Sequence, residues 1–335
     1  METPMHTPHP LRRAAALAGL LSALAATTAQ AQGVAWVSSE KDNALAIVDL
    51  KTQVVTGTVA TCKRPRHMQM APDGKHLLVA CGDSGQADLI DLASRKSVRK
   101  LALGDDPEIF DVSADGKTLY VTNEEDAELG IVDMASGKRT GAIKVGEEPE
   151  GVKLSPDGKT AYVTSEVASL VHVVDLASGQ GGKVVKNIQA GKRPRRFALT
   201  PDGAQLWVTN ELDASVTVID TKAQTVLDTI KFTVKGARAA DITPVGITMT
   251  RDGKRAFVSL GKANHVAFVD VASRKTTDLV LVGKRAWGVA LDKAEKTLFV
   301  VNGLSDDMSI VDVASAKATK TVKVGRVPHS VVVVE

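Results

Sequence analysis

The sequence predicts an all-β chain: a seven-bladed β-propeller of four-stranded antiparallel blades, closed by pairing of the C-terminal strand with the N-terminal blade. Three observations carry this. One short stretch recurs, as MAPDGKHLLVAC at 70–81, LSPDGKTAYVTS at 154–165 and LTPDGAQLWVTN at 199–210. Its aligned valines, Val37, Val79, Val121, Val163, Val208, Val258 and Val300, are spaced 42, 42, 42, 45, 50 and 42 residues apart, a period that marks a propeller or solenoid. The strands of the first unit are also one short at the start, and the missing one lies at the other end of the chain.

Each repeat decodes in order. GVKLS at 151–155 alternates Val152 and Leu154, the pattern of a strand with one buried face. Pro156-Asp157-Gly158 then turns the chain: Pro presets φ, Asp bonds its own backbone and Gly accepts a positive φ. TAYVT is the second strand and VHVVD at 171–175 the third. Third strands end on Asp49, Asp91, Asp133, Asp175, Asp220, Asp270 and Asp312, each before a turn such as VASRK. Asp in that place binds turn amides, so these seven acids are read as structural. A weaker fourth strand follows, as in AIKV at 142–145. Helical periodicity is missing after residue 31, and four short strands per repeat make a propeller blade.

The second strand occurs seven times, beginning with AWVS at 35–38, but a first strand precedes only six of them. SVVVV at 330–334 supplies the seventh. Such closure removes free sheet edges.

The N-terminus reads as a signal peptide over 1–31. Arg12 and Arg13 form a positive region, Ala14–Ala26 an apolar run too short to span a bilayer, and Ala29-Gln30-Ala31 a small-x-small cleavage site. Gln32 rather than Cys follows, which argues against a lipid anchor. The expectation is a propeller over 32–335 in the periplasm or secreted, with no membrane insertion after cleavage. In an oxidising compartment the two cysteines, Cys62 and Cys81, predict one disulfide. A formal net charge of +3 gives no reason to expect nucleic acid, and 3% aromatic residues leave little for a base-stacking platform.

A second repeat precedes each first strand: KRPRH, DDPEI, EEPEG, KRPRR, ITPVG, KRAWG and RVPHS. Proline pins the chain as it enters the innermost strand, so these loops crowd one rim of the central channel. Their charges differ from blade to blade, whereas the strand frames repeat. The candidate ligand-binding residues are Arg66, His67, Glu108, Glu150, Arg195, Arg285, Trp287, Arg326 and His329. Arginines suit carboxylate or phosphate groups and Trp287 offers an apolar face. The competing reading is a ring of ion pairs that compensate one another. His67 and His329 fall on neighbouring blades, but no third ligand joins them, so no metal site is expected. No nucleophile elbow or Ser-His-Asp set is present, and no catalytic residue is assigned.

With TLYVTN at 118–123, TAYVTS at 160–165 and the turns that follow (IVDMASG, VVDLASG), the chain resembles YVTN-type β-propeller repeat proteins. The ordered loops KRPR, DDPEIF, EEPEG, KRPRRF, TPVGI and VGRVP are similar to the PQQ-dependent catabolism-associated propeller group. That resemblance implies an exported accessory role in periplasmic alcohol catabolism, with PQQ as a candidate ligand and a PQQ-dependent dehydrogenase or ABC-transport components as partners. The departures are Lys293-Ala294-Glu295 where other blades have a Pro-Asp-Gly-type turn, and Ala286 in place of proline. A non-catalytic binding protein is the leading function. An enzyme of the lactonase or dehydrogenase-subunit propeller type and a surface interaction scaffold are the alternatives.

Overall fold

The structure is a computed structural model that describes residues 1, 2, 4, 33–178 and 181–335. The signal-peptide expectation falls almost wholly outside these residues. The rest forms seven four-stranded antiparallel sheets. Blade 1 consists of Val34–Ser39, Ala44–Asp49 and Val54–Ala60, with Pro328–Val334 as its innermost strand. Val34 faces Val334 and Trp36 faces Val332, so the last strand closes the ring as the strand count predicted. Blades 2 to 7 begin with the inner strands Pro65–Met70, Pro107–Val112, Pro149–Leu154, Pro194–Leu199, Ile247–Met249 and Ala286–Leu291. No α-helix is present among the described residues; two short 3-10 turns occur, Gly82–Ser84 and Ala239–Asp241.

The local chemistry follows the repeat. All seven third-strand aspartates accept a turn amide, from Thr52, Ser94, Ser136, Ala177, Ala223, Ser273 and Ser315, at 2.7–2.8 Å. The replacement turn in blade 7 keeps its geometry: Glu295 takes φ +56° where Gly stands elsewhere, and its N–H reaches Asp292 O at 3.0 Å. Apolar cores sit between consecutive blades. Trp36 packs with Met68 and Leu77 across blades 1 and 2, and Trp207 with Ala256 and Val258 across blades 5 and 6.

The inner strands are irregular at their start. After Pro149 pairs with Ser165, the register resumes only at Val152 opposite Val163, and the same shift occurs in blades 2, 3, 5 and 7. Such a bulge re-aims side chains, here toward the channel. Hydroxyls of the second strand satisfy the freed backbone. Thr164 Oγ1 accepts from Gly151 N at 2.7 Å and donates to Arg195 O of the next blade at 3.2 Å. Thr209 donates likewise to Val245 O, Ser259 to Trp287 O, Ser38 to Arg66 O and Thr122 to Glu150 O. The repeated Val-Thr or Val-Ser is therefore a latch between blades. The approach is so close that a Cβ on Gly151 would lie 2.1 Å from Arg195 O.

Candidate functional site

Three residue positions build one rim of the channel. The first is the residue before the inner-strand proline or Ala286. In six blades it is left-handed: Arg64, Asp106, Glu148, Arg193, Arg285 and Val327 have φ between +35° and +58°. Proline disfavours helical conformations in the preceding residue, and Val is β-branched, so the rim stores backbone strain of roughly 1–3 kcal/mol per site. The second position is the residue after the second strand. Its N–H bonds the carbonyl of the strained residue: Glu124 to Asp106, Glu166 to Glu148, Glu211 to Arg193 and Glu40 to Val327, at 2.9–3.3 Å. The third is the residue after the proline, which the bulge turns inward.

These positions pair acids with bases across blades. Arg66 is bonded to Glu108, and Arg64 reaches Glu108 at 3.1 Å and Asp106 at 2.9 Å. Arg195 is bonded to Glu166 and lies 3.2 Å from Glu150; Arg196 lies 3.3 Å from Glu150. Arg193 contacts Glu166 at 2.5 Å. Glu108 and Glu150 are buried, as are Arg66 and Arg195. Burial works against the Glu150 charge, but Arg195, Arg196 and Arg66 outweigh it and hold the carboxyl down to about 2. Burial, and then the Glu150 charge, push Glu108 up, with Arg66 and Arg195 opposing. Burial lifts Glu166 to about 7 against the pull of Arg195.

His329 sits at the centre of this girdle, 4% exposed. Its Nε2 faces Arg66 Nε at 3.4 Å and an Arg196 NH2 at 3.3 Å. An acceptor between two guanidinium groups must be unprotonated. Burial, then Arg66 and Arg196, hold His329 well below its ordinary value. Trp287, 5.6 Å away by ring centroid, lies under Arg285 at 4.6 Å and Arg195 at 5.4 Å, and its buried Nε1 has no hydrogen-bond partner.

Trp287 and His329 line two cavities. The rim cup, of about 320 Å³, is also lined by Arg64, Arg66, Glu124, Glu150, Arg195 and Arg285. The inner cavity, of about 350 Å³, is lined by His67, Phe110, Asp111, Lys153 and Arg196. There Asp111 accepts from Lys153 at 2.8 Å and Gln69 at 3.1 Å. His67 stacks edge-on against Phe110, and burial followed by Arg196 depresses it to about 3.

The sequence-predicted residues therefore separate. Arg66, Glu150, Arg195, Arg285, Trp287 and His329 meet at the cup, and Glu108 lies behind it on Arg64 and Arg66. His67 belongs to the inner cavity. Arg326 lines neither: its side chain is 66% exposed and pairs with Asp42 at 2.6 Å. It leaves the set because its Nε is satisfied by Asp42 on the adjoining blade 1 hairpin. Sequence reasoning missed Glu40, Glu124, Glu166 and Glu211. The signal was available, since VSSE, VTNE, VTSE and VTNE place an acid at the same step of four repeats. Cys62 and Cys81 are bonded, with Cα atoms 5.8 Å apart.

Residues 129–324 match the family model of the choice-of-anchor I domain. No curated protein matches the chain. Among solved structures, the chain is similar to the periplasmic gluconolactonase of Pseudomonas aeruginosa, at 20% identity over 90% of this chain and 99% of that one, with a TM-score of 0.78. A putative 6-phosphogluconolactonase from Bacteroides uniformis aligns at 14% identity over 90% and 100%, with a TM-score of 0.73. Hydrazine synthase of Kuenenia stuttgartiensis aligns at 24% identity over 83% and 92%, with a TM-score of 0.74. At these identities the likeness is one of fold.

Proposed function

The chain belongs to the choice-of-anchor I domain family, and on that footing we propose that it is an exported binding propeller whose rim cup holds a small carboxylate. One observation carries the reading. Arg285 is the rim guanidinium without an ion pair among the described residues, and it lies over Trp287, whose buried indole N–H lacks an acceptor. An unpaired guanidinium lining the cup calls for an anionic acceptor. Elsewhere the cup presents arginines already neutralised by glutamates, which favours a ligand with one acidic group and several hydroxyls. The arginine pair at 12–13 and the Ala-Gln-Ala step support export. In the setting that the loop resemblance implies, PQQ is the heavily charged end of the ligand class, and a PQQ-dependent dehydrogenase or transport component is the partner.

The test is calorimetry of the wild type and Arg285→Ala with gluconate, citrate and PQQ. We expect binding of at least one, weakened about tenfold or more in the variant, as loss of a charge-assisted bond requires. No heat and no thermal shift with any of them at millimolar concentration would leave the interaction-scaffold reading in front.

A lactone-hydrolysing enzyme is the second reading. The fold likeness to gluconolactonase favours it, as does Glu124, a cup carboxylate with no ion pair among the described residues. Turnover of gluconolactone by purified protein above the spontaneous rate would establish it.

A further inference from the structure

We propose that Asp106, Glu108 and Glu124 form a divalent-cation site on the blade 3 side of the rim. One carboxylate oxygen from each lies within 4.8 Å of the others. Asp106 and Glu108 flank Pro107 at the start of the inner strand, and Glu124 follows the second strand, Thr118–Asn123. The backbone bond from Glu124 N to Asp106 O, 3.3 Å, ties the two segments together.

The second observation concerns which oxygens are already used. Arg64 takes Asp106 Oδ1 at 2.9 Å and Glu108 Oε1 at 3.1 Å, and Arg66 also binds Glu108 Oε1. Glu108 is 0% exposed, and its other oxygen, Oε2, is buried with no hydrogen-bond partner. A fully buried carboxylate oxygen without a donor is costly unless something positive faces it. Asp106 Oδ2 and both Glu124 oxygens likewise have no hydrogen-bond donor among the described residues. The arginines thus take one oxygen each of Asp106 and Glu108, and the second oxygens of both stay free for a cation.

That donor set selects the ion. Carboxylate oxygens with room for water suit Ca²⁺, Mn²⁺ or Mg²⁺, and no thiol or imidazole is present to favour zinc or copper. Ca²⁺ tolerates irregular geometry, which three carboxylates from two loop segments provide, so it should bind best. With three protein ligands and a solvent-facing side, the affinity expected is on the order of 10⁻⁴–10⁻³ M. The site shares the cup through Glu124, but its ligands are not Arg285 and Trp287, on which the carboxylate reading rests.

The experiment is calorimetry and thermal denaturation of chelator-treated protein with CaCl₂, MnCl₂ or MgCl₂ alone, against NaCl at matched ionic strength. The wild type should bind Ca²⁺ and melt at a higher temperature with it. Glu124→Gln, which keeps the side-chain shape, should lower the affinity at least about tenfold while the metal-free protein stays folded. Asp106→Asn provides the same readout if Glu124→Gln does not fold. Absence of heat beyond the NaCl control with all three ions at millimolar concentration overturns the proposal. So does unchanged affinity in a folded Glu124→Gln or Asp106→Asn variant, which would place the ion elsewhere.

Discussion

Arg66 Nε points at His329 Nε2 across 3.4 Å and 263 residues of sequence. The contact joins blade 2 to the strand that closes the ring, and it fixes the protonation state of a buried imidazole. Arg66, Arg196 and Arg195 all face His329, Glu40 approaches it only at 3.9 Å, and Trp287 covers another side. The neutral ring is the form that fits.

Stability should therefore depend on His329 in acid. In the unfolded chain a histidine takes a proton near pH 6.5. The folded protein resists that proton, so the unfolded state binds more protons as the pH falls below that value. The contribution is complete above about 6.5 and is lost on acidification, by up to about 1.4 kcal/mol per pH unit. Glu166, raised to about 7, and Glu108, also pushed up, act in the opposite sense, and the depressed His67 acts in the same sense, so the pH dependence of the wild type alone mixes several groups. The difference between wild type and His329→Gln isolates the effect. Urea unfolding at pH 7 and pH 5.5 should show the wild type losing more stability than the variant. Equal losses would mean that His329 takes up its proton as readily in the fold as in the unfolded chain.

Arg195 should prove structural before it proves functional. The sequence placed it as an anion contact, and it does line the cup, but Glu166 and Glu150 already occupy it. Removing one partner of a buried pair leaves an uncompensated charge and costs about 3–5 kcal/mol. Arg195→Met should lower stability by that order in denaturant titrations, whereas Arg285→Ala, at a guanidinium without an ion pair among the described residues, should change it by less than about 1 kcal/mol. Similar costs for both would contradict this division.

Much of this architecture was legible because it is local. Pro156-Asp157-Gly158, the terminal aspartates and the repeated valines each act within a few residues, so their chemistry can be read in one repeat and multiplied. Even the departures, Glu295 and Ala286, kept their turn and strand. The site was legible only as a set of positions. Whether Arg66 meets a ligand or Glu108 depends on the angle between blades, and no spacing encodes that. Arg326 and Arg285 sit in similar lead-in loops, yet Asp42 captures one and Trp287 underlies the other.

The cystine should matter for blade 2 as a unit. Cys62 lies just before the inner strand and Cys81 ends the second strand, His76–Cys81, which is buried along most of its length. The link closes a loop with a sequence separation of 19. In the chain-entropy account a loop of that size stabilises by about 3 kcal/mol. Cys62→Ser/Cys81→Ala should lose that order of stability in urea titrations, and peptide mapping of oxidised protein should return the linked pair. Two free thiols in stable, folded protein would remove the idea.

Loss of ring closure should damage the fold more than any of these substitutions. Deleting 326–335 removes the inner strand of blade 1, its pairing with Val34–Ser39 and its contacts with blades 2 and 7. It also removes His329 from between Arg66 and Arg196, leaving one buried and one half-buried guanidinium group without the imidazole that separates them. Val331 is buried in the core shared with Phe299 and Val301 of blade 7, and Val332 and Val334 pack against the core shared with Met68 and Leu77 of blade 2, so both neighbouring blades lose apolar cover. The several kcal/mol at stake are a large share of the roughly 5–15 kcal/mol that holds a typical domain. The truncated chain should therefore unfold or self-associate through its open edge rather than fray. A peptide of residues 326–335 added in trans should restore melting temperature and monomeric state. A truncation that melts like the full chain would show that the ring does not depend on its last strand.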